Sequence, residues 1–329
     1  MCCERVKRAR PLLGTLVEIS LAGNSESELH SAAAAAFSGI AQIHDLMSLQ
    51  SMDSDVFRLN NAPVGATVKI NPHTWRVIEL AGEVSRLSDG KFDIAVGGAM
   101  LARADALRLR NKVPDARATF RDIEVLDGSR VRFRRALAID VGGIAKGYAV
   151  DHAVRILRDL GVPAGCVNAG GDLRVFGGES VPVQVRDPGN PAVVRANIDL
   201  LDRALATSAN YADGAFTAAG AVLDPGDGKT VTPGRSASVR AKSCAVADAL
   251  TKCVLLLGAS SAPALRHYEA DGFLLDGETS LVIDIDACSG GIGDTKQSGR
   301  LARPALSAER GRKGERLPVP DLQIGSPVA

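Results

Sequence analysis

Aromatic residues are scarce, 4% of the 329 positions with one tryptophan and three tyrosines, so the chain lacks the ring platforms on which single-stranded nucleic acid stacks. Neither sign of charge is in excess, with 39 Lys and Arg against 38 Asp and Glu. No global field therefore draws in a polyanion or an anionic membrane, and a phosphate-bearing ligand has to be held by a local site. The cysteines at 2, 3, 166, 244, 253 and 288 form no C-x-x-C pair, which argues against a zinc knuckle or a thioredoxin-type motif. They read instead as reduced, mostly buried thiols. The five histidines are scattered, so no transition-metal centre is expected, whereas a hard, oxygen-liganded cation stays compatible. No run of about 18 apolar residues suggests a membrane span. The opening M-C-C-E-R-V-K-R-A-R-P carries no apolar stretch of the signal-peptide kind, and a cytoplasmic protein is expected.

What is present is an ordinary globular composition, 46% hydrophobic and 23% charged, on a chain long enough to bury a substantial core. A strand is expected over 15–21, and a capped, alanine-filled helix over 25–49. A helical turn over 54–60 and a strand over 67–70 follow, and Pro72 opens a helix running to about 88. Asp127-Gly128 signals a hairpin. Residues 136–141 read as a buried strand, Gly142-Gly143 as a tight turn, and 144–160 as a helix closed by Gly161. Strands are expected over 166–168, 172–176, 182–185, 196–200 and 204–207. A last helix over 245–257 and strands over 272–276 and 280–285 complete the core. Residues 289–329, rich in Gly, Ser, Pro, Arg and Lys, read as a disordered tail after one domain spanning 1–288. Mixed blocks of helix and strand indicate an α+β fold.

Two constellations carry chemistry. In A-I-D-V-G-G-I-A-K-G-Y-A-V-D, residues 138–151, a strand leads through paired glycines into a helix N-terminus, whose unpaired N–H groups and positive dipole end suit an anion. Lys146 sits in the first turn, where the dipole disfavours a cation, so it calls for an anionic partner. Asp140 and Lys146 can bind opposite ends of one polar ligand; the plain alternative is a strand-to-helix turn with a solvated lysine. In S-C-A-V-A-D-A-L-T-K, residues 243–252, Asp248 stands out on an apolar helix, with Thr251 and Lys252 on its face. Carboxylate and hydroxyl can give two oxygens to Mg²⁺; the plain alternative is an Asp248–Lys252 ion pair on the helix surface. The segments A-L-A-T-S-A-N-Y, with Thr207 and Ser208, and A-V-L-D-P-G-D-G, with Leu223, are weaker signals of a ring- or sugar-binding edge.

The order of these blocks, with R-P-L-L-G-T-L-V-E-I from Arg10, M-S-L-Q-S-M-D-S-D-V-F-R-L-N from Met47 to Asn60, and F-D-I-A-V-G-G from Phe92, resembles the FAD:protein FMN transferase (ApbE) family. The resemblance implies a T-fold-related α+β architecture. It also implies FAD as substrate, Mg²⁺ on its pyrophosphate, and transfer of FMN to a Thr or Ser of an acceptor protein with release of AMP. Carried over, Lys146 and Asp248 serve catalysis, and Leu13, Asn60, Ala95, Val96, Gly97, Asp140, Lys146, Thr207, Ser208 and Leu223 line the FAD site. Gly143, through its carbonyl, Asp248 and Thr251 ligate the metal. The chain departs from the family pattern at Ala221, in place of a histidine, and at Gln50, in place of an aromatic. Ala95 stands where a threonine is usual, and Lys252 where a metal-ligating threonine often lies. A catalytically degenerate FAD carrier, an FAD pyrophosphatase and a structural domain are the competing readings.

Overall fold

The computed structural model describes residues 4–97, 113–178, 180–210, 222–277 and 279–283. A charged hairpin, β1 (Glu4–Leu12) and β2 (Thr15–Gly23), begins the fold. β1 is an addition to the sequence expectation; its mostly exposed Arg, Lys and Glu suit the unpaired edge it forms. Helix α1 (Glu26–Met47) is capped by Ser25, α2 (Asp55–Asn61) by Ser54, and α3 (Pro72–Leu87) starts on Pro72 after Asn71. β3 (Thr67–Lys69), β4 (Ile123–Leu126) and β5 (Arg130–Phe133) make a small sheet in the order β3-β5-β4. Gly128 and Ser129, both at positive φ, turn its hairpin.

Helix α4 (Gly142–Asp159) corrects the expected boundary: Gly142 and Gly143 form its first turn instead of preceding it. The expected strand over 136–141 is also corrected. Leu137, Ala138, Ile139 and Val141 are buried, but the segment joins none of the three sheets among the described residues. Its main chain is held by Ile94 and Gly97 through Asp140 N–H to Ile94 O (2.8 Å) and Gly97 N–H to Ala138 O (3.0 Å), and by the Asn60 side chain.

The main sheet is antiparallel and eight-stranded among the described residues. It combines β1 and β2 with β6 (Ala164–Ala169), β7 (Asp172–Phe176), β10 (Ala204–Asn210), β11 (Arg235–Ala241), β12 (Asp271–Asp276) and β13 (Thr279–Ile283), in the order β1-β2-β6-β7-β10-β11-β12-β13. β11 is a second addition. The hairpin of β8 (Val181–Arg186) and β9 (Val194–Leu200) closes a separate small core of Cys166, Leu173, Val175, Val181, Val183, Leu200 and Leu205.

The principal core joins α1, α4, and α5 (Cys244–Leu257) to the main sheet. α5 is not the last helix: a 3₁₀ turn leads into the short α6 (Ala262–His267). The stretch Cys244–His267 is long and apolar enough to cross a membrane by length and composition, yet 67% of its most apolar window is buried inside the fold. Cys166, Cys244 and Cys253 are free and buried; Cys2, Cys3 and Cys288 lie outside the described residues, as do the expected tail and Ala221. Helices packed on antiparallel sheets make this an α+β fold.

Candidate functional site

Helices α4 and α5 meet unusually closely. A Cβ on Gly147 would lie 2.3 Å from the Cys244 carbonyl oxygen, so only glycine lets the two backbones touch. That contact sets the first turn of α4 against the Asp248 turn of α5, and the Gly147 N–H donates to Asp248 Oδ2 at 3.2 Å. Of the first-turn N–H groups of α4, that of Gly142 donates to Asp140 Oδ1 at 2.7 Å and those of Ile144 and Ala145 to the Val141 carbonyl at 3.0 and 2.9 Å.

A compact ionic cluster fills this junction. Lys146 bonds Asp172 Oδ2 and lies 3.9 Å from Asp248 Oδ2. Lys252 bonds Asp248 Oδ1, and its ammonium also donates to the Asp248 carbonyl oxygen at 2.9 Å. Asp172 and Asp248 are buried, while the Lys146 side chain is 36% and that of Lys252 14% exposed. The sequence alternatives are thus resolved in an intermediate way: Lys146 has its anionic partner inside the chain, and the Asp248–Lys252 pair is buried instead of superficial.

Electrostatics follow from crowding. Burial raises the Asp172 pKa, the Asp248 charge adds to the effect, and Lys146 and Lys252 only partly oppose it. For Asp248 burial also pushes up, but Lys146 and Lys252 outweigh it and hold the carboxyl below its ordinary value. Burial works to lower the Lys146 pKa, and the Asp172 and Asp248 charges overcome it, so the ammonium titrates above an ordinary lysine. Asp140 is raised by desolvation against the Gly142 N–H bond and the Lys252 charge. It accepts from Gly142 N–H at 2.7 Å and bonds no ammonium group among the described residues.

The other sequence-selected residues fall into two sets. Ala95, Val96 and Gly97 run beside 138–140; Asp93 fixes this strip by accepting the Ala95 N–H at 2.7 Å and the Phe120 N–H at 2.9 Å. A Cβ at Gly97 would lie 2.5 Å from Ala138 O. Ser208 bonds Thr251 at 2.7 Å, bringing the β10 end to α5. Thr207 instead bonds Ser238 of β11 at 2.8 Å. Asn60 is buried and directs its amide to Ile139, donating to its carbonyl at 2.9 Å and accepting its N–H at 2.8 Å. It therefore ties the strip to α2. Leu13 turns the β1–β2 hairpin at positive φ; the following Thr15 abuts Gly170, on the turn before Asp172. Leu223 pairs with Thr230, and its neighbour Asp224 bonds Lys91 at 2.8 Å, beside Phe92. Gln50 shares a 3.3 Å hydrogen bond with Ser48.

Asp172 was absent from the sequence selection. The signal was an aspartate heading an apolar strand after Gly170-Gly171, both at positive φ, but its lysine lies 26 residues away. Two cavities, of about 330 and 650 Å³, lie elsewhere, beside α3. Neither is lined by Asp140, Lys146, Asp172 or Asp248.

The donors expected to hold magnesium do not fit it as arranged. Both Asp248 carboxylate oxygens face ammonium groups. The Thr251 hydroxyl donates to the Asp248 carbonyl at 2.6 Å and bonds Ser208. A Cβ at Gly143 would lie 3.3 Å from Lys252 Cε, so the lysine stem covers that turn. Magnesium wants near-octahedral oxygens at about 2.1 Å. An ammonium about 4 Å from a divalent ion costs about 8 kcal/mol at an effective dielectric constant of about 20.

Comparison with known proteins agrees with this architecture. The ApbE family profile matches residues 13–273. The FAD:protein FMN transferase of Rhodobacter capsulatus is 28% identical over 275 residues, 77% of this chain and 52% of the relative. That of Vibrio cholerae is 26% identical over 239 residues, 67% of this chain and 71% of the relative. The chain thus spans about half the length of the Rhodobacter protein. Among solved structures, the ApbE protein of Thermotoga maritima superposes with a TM-score of 0.74 at 26% identity, covering 87% of this chain and 99% of the other. The apo flavinyl transferase ApbE of Pseudomonas stutzeri gives 0.72 at 22% identity over 88% and 98%, a likeness of fold. With most of its length matched by the profile, this chain belongs to the ApbE family.

Proposed function

We propose that this chain is an FAD:protein FMN transferase, which moves FMN from FAD to a Thr or Ser hydroxyl of an acceptor protein and releases AMP. The observation that carries the reading is the Lys146–Asp172–Asp248–Lys252 cluster where the N-terminal part of α4 meets α5, in a chain of this family. A helix N-terminus with adjacent ammonium groups is suited to a pyrophosphate. The acceptor oxygen forms the new bond to the FMN phosphorus, the bond to the AMP phosphate breaks, and the hydroxyl proton goes to a base. Asp140 is our candidate for that base, as the partly exposed carboxylate of the site that carries no ammonium bond among the described residues. Burial raises its proton affinity, which favours proton uptake. The 94–97 strip, held by Asp93 and by 138–140, offers a rigid edge to the flavin.

Incubation of the protein with FAD and a threonine-bearing acceptor peptide tests this. AMP release together with flavin fluorescence on the peptide is the expected result. AMP release without labelled peptide would instead make the chain an FAD pyrophosphatase, and retained FAD without AMP would make it a carrier.

A further inference from the structure

We infer that the Lys252 ammonium occupies the cation position at Asp248, so that FAD is taken up without magnesium; this rests on the flavin reading above. Lys252 grips two oxygens of one residue, the carboxylate Oδ1 and the main-chain carbonyl of Asp248. Its stem passes over Gly143 at 3.3 Å from the position a Cβ would take. Of the residues expected to ligate a metal, Asp248 is therefore engaged by this one side chain, and Thr251 is bonded to the Asp248 carbonyl and to Ser208. Lys146, on the other side of Asp248, stands 3.9 Å from Oδ2, so both carboxylate oxygens face positive charge.

An ammonium has three N–H donors. Two are used at Asp248, and the third has no partner among the described residues. Lys252 can thus stay seated on Asp248 while its remaining donor reaches a phosphate oxygen. Binding through an ammonium–phosphate contact at the partly exposed Lys252 should weaken measurably with added KCl.

FAD affinity, read by flavin fluorescence in EDTA and in Mg²⁺, tests the inference. Wild-type protein should bind FAD in the two buffers within twofold. Lys252→Thr should bind at least tenfold more weakly in EDTA and recover in Mg²⁺, whereas Lys252→Arg, the charge-preserving control, should stay insensitive to EDTA. Mn²⁺ titration followed by electron paramagnetic resonance, without FAD, should show no bound ion in wild type and binding in Lys252→Thr. Tenfold loss of wild-type FAD binding in EDTA, Mn²⁺ capture by wild type, or EDTA-insensitive Lys252→Thr would each overturn the inference. Absence of FAD binding in every buffer would overturn the flavin reading itself, whatever the Mn²⁺ result.

Discussion

The Asp151 carboxylate of α4 accepts the Cys244 N–H at the start of α5 at 3.0 Å. The same carboxylate takes the Ala245 N–H at 2.9 Å and the Ser243 hydroxyl at 2.7 Å, and Arg174 of β7 bonds it at 2.5 Å. One side chain thus caps the helix that carries Asp248 and ties it to the helix that carries Lys146. Asp151→Ala should lower stability by about 2–4 kcal/mol, because it strands buried N–H groups and a partly buried guanidinium. Asp151→Asn keeps an acceptor and should cost about half as much. Urea titrations of the three proteins measure the difference.

Gly147 makes a second, sterically distinct prediction. In an open helix, Gly→Ala adds about 1 kcal/mol of stability. Here the new methyl would meet the Cys244 carbonyl at 2.3 Å and Ala245 Cα at 2.8 Å, both backbone atoms. Gly147→Ala should therefore destabilise by about 2–3 kcal/mol and weaken FAD binding as α4 and α5 separate. A raised melting temperature would contradict the close approach.

Acid stability should show the His73–His152 pair, whose rings lie 4.6 Å apart. Burial, then the His73 and Arg155 charges, bring the His152 pKa down to about 4. Burial, then Arg155, also lowers that of His73. A folded-state pKa below the unfolded value of about 6.5 means that the unfolded chain takes up the proton first. The contribution is fully present above pH about 6.5 and is lost as pH falls toward about 4. Melting temperatures of wild type and His152→Gln, compared from pH 7 to 4, should converge as the pH drops; a constant gap would exclude the effect.

Catalysis should titrate with Asp140. Because its folded pKa is raised, the basic form is lost on acidification at a pH above the ordinary carboxylate value. AMP release should fall as pH drops through that point. Asp140→Asn should reduce kcat by about 10²–10⁴-fold with FAD affinity changed much less. A parallel loss of affinity would give Asp140 a binding role instead.

Much of this was legible in the chain itself. Ser25, Ser54 and Ser243 are N-caps, and Gly161 ends α4 at positive φ, because capping chemistry is local. Pairing across the fold was not. β1 hid behind exposed charge on an edge strand, and the Arg-Ser-Ala pattern of β11 has Val239 as its one β-branched residue, too few of the bulky side chains that usually mark a strand. Asp172 meets Lys146 only because β7 lies against α4. The 136–141 segment shows the converse: its apolar composition reports burial, which is real, but says nothing of who receives its N–H and C=O groups.

At Ile139 a side chain, the Asn60 amide, does what a neighbouring strand would do, returning both a donor and an acceptor. The Ile139 amide is consequently tied to α2 instead of the main sheet, and its hydrogen exchange should follow local opening of that short helix. The 138–140 strip can thus breathe without unzipping the eight-stranded sheet, and a single Asn60→Ala change, which removes both bonds, would uncouple its exchange from α2 while leaving the sheet amides protected.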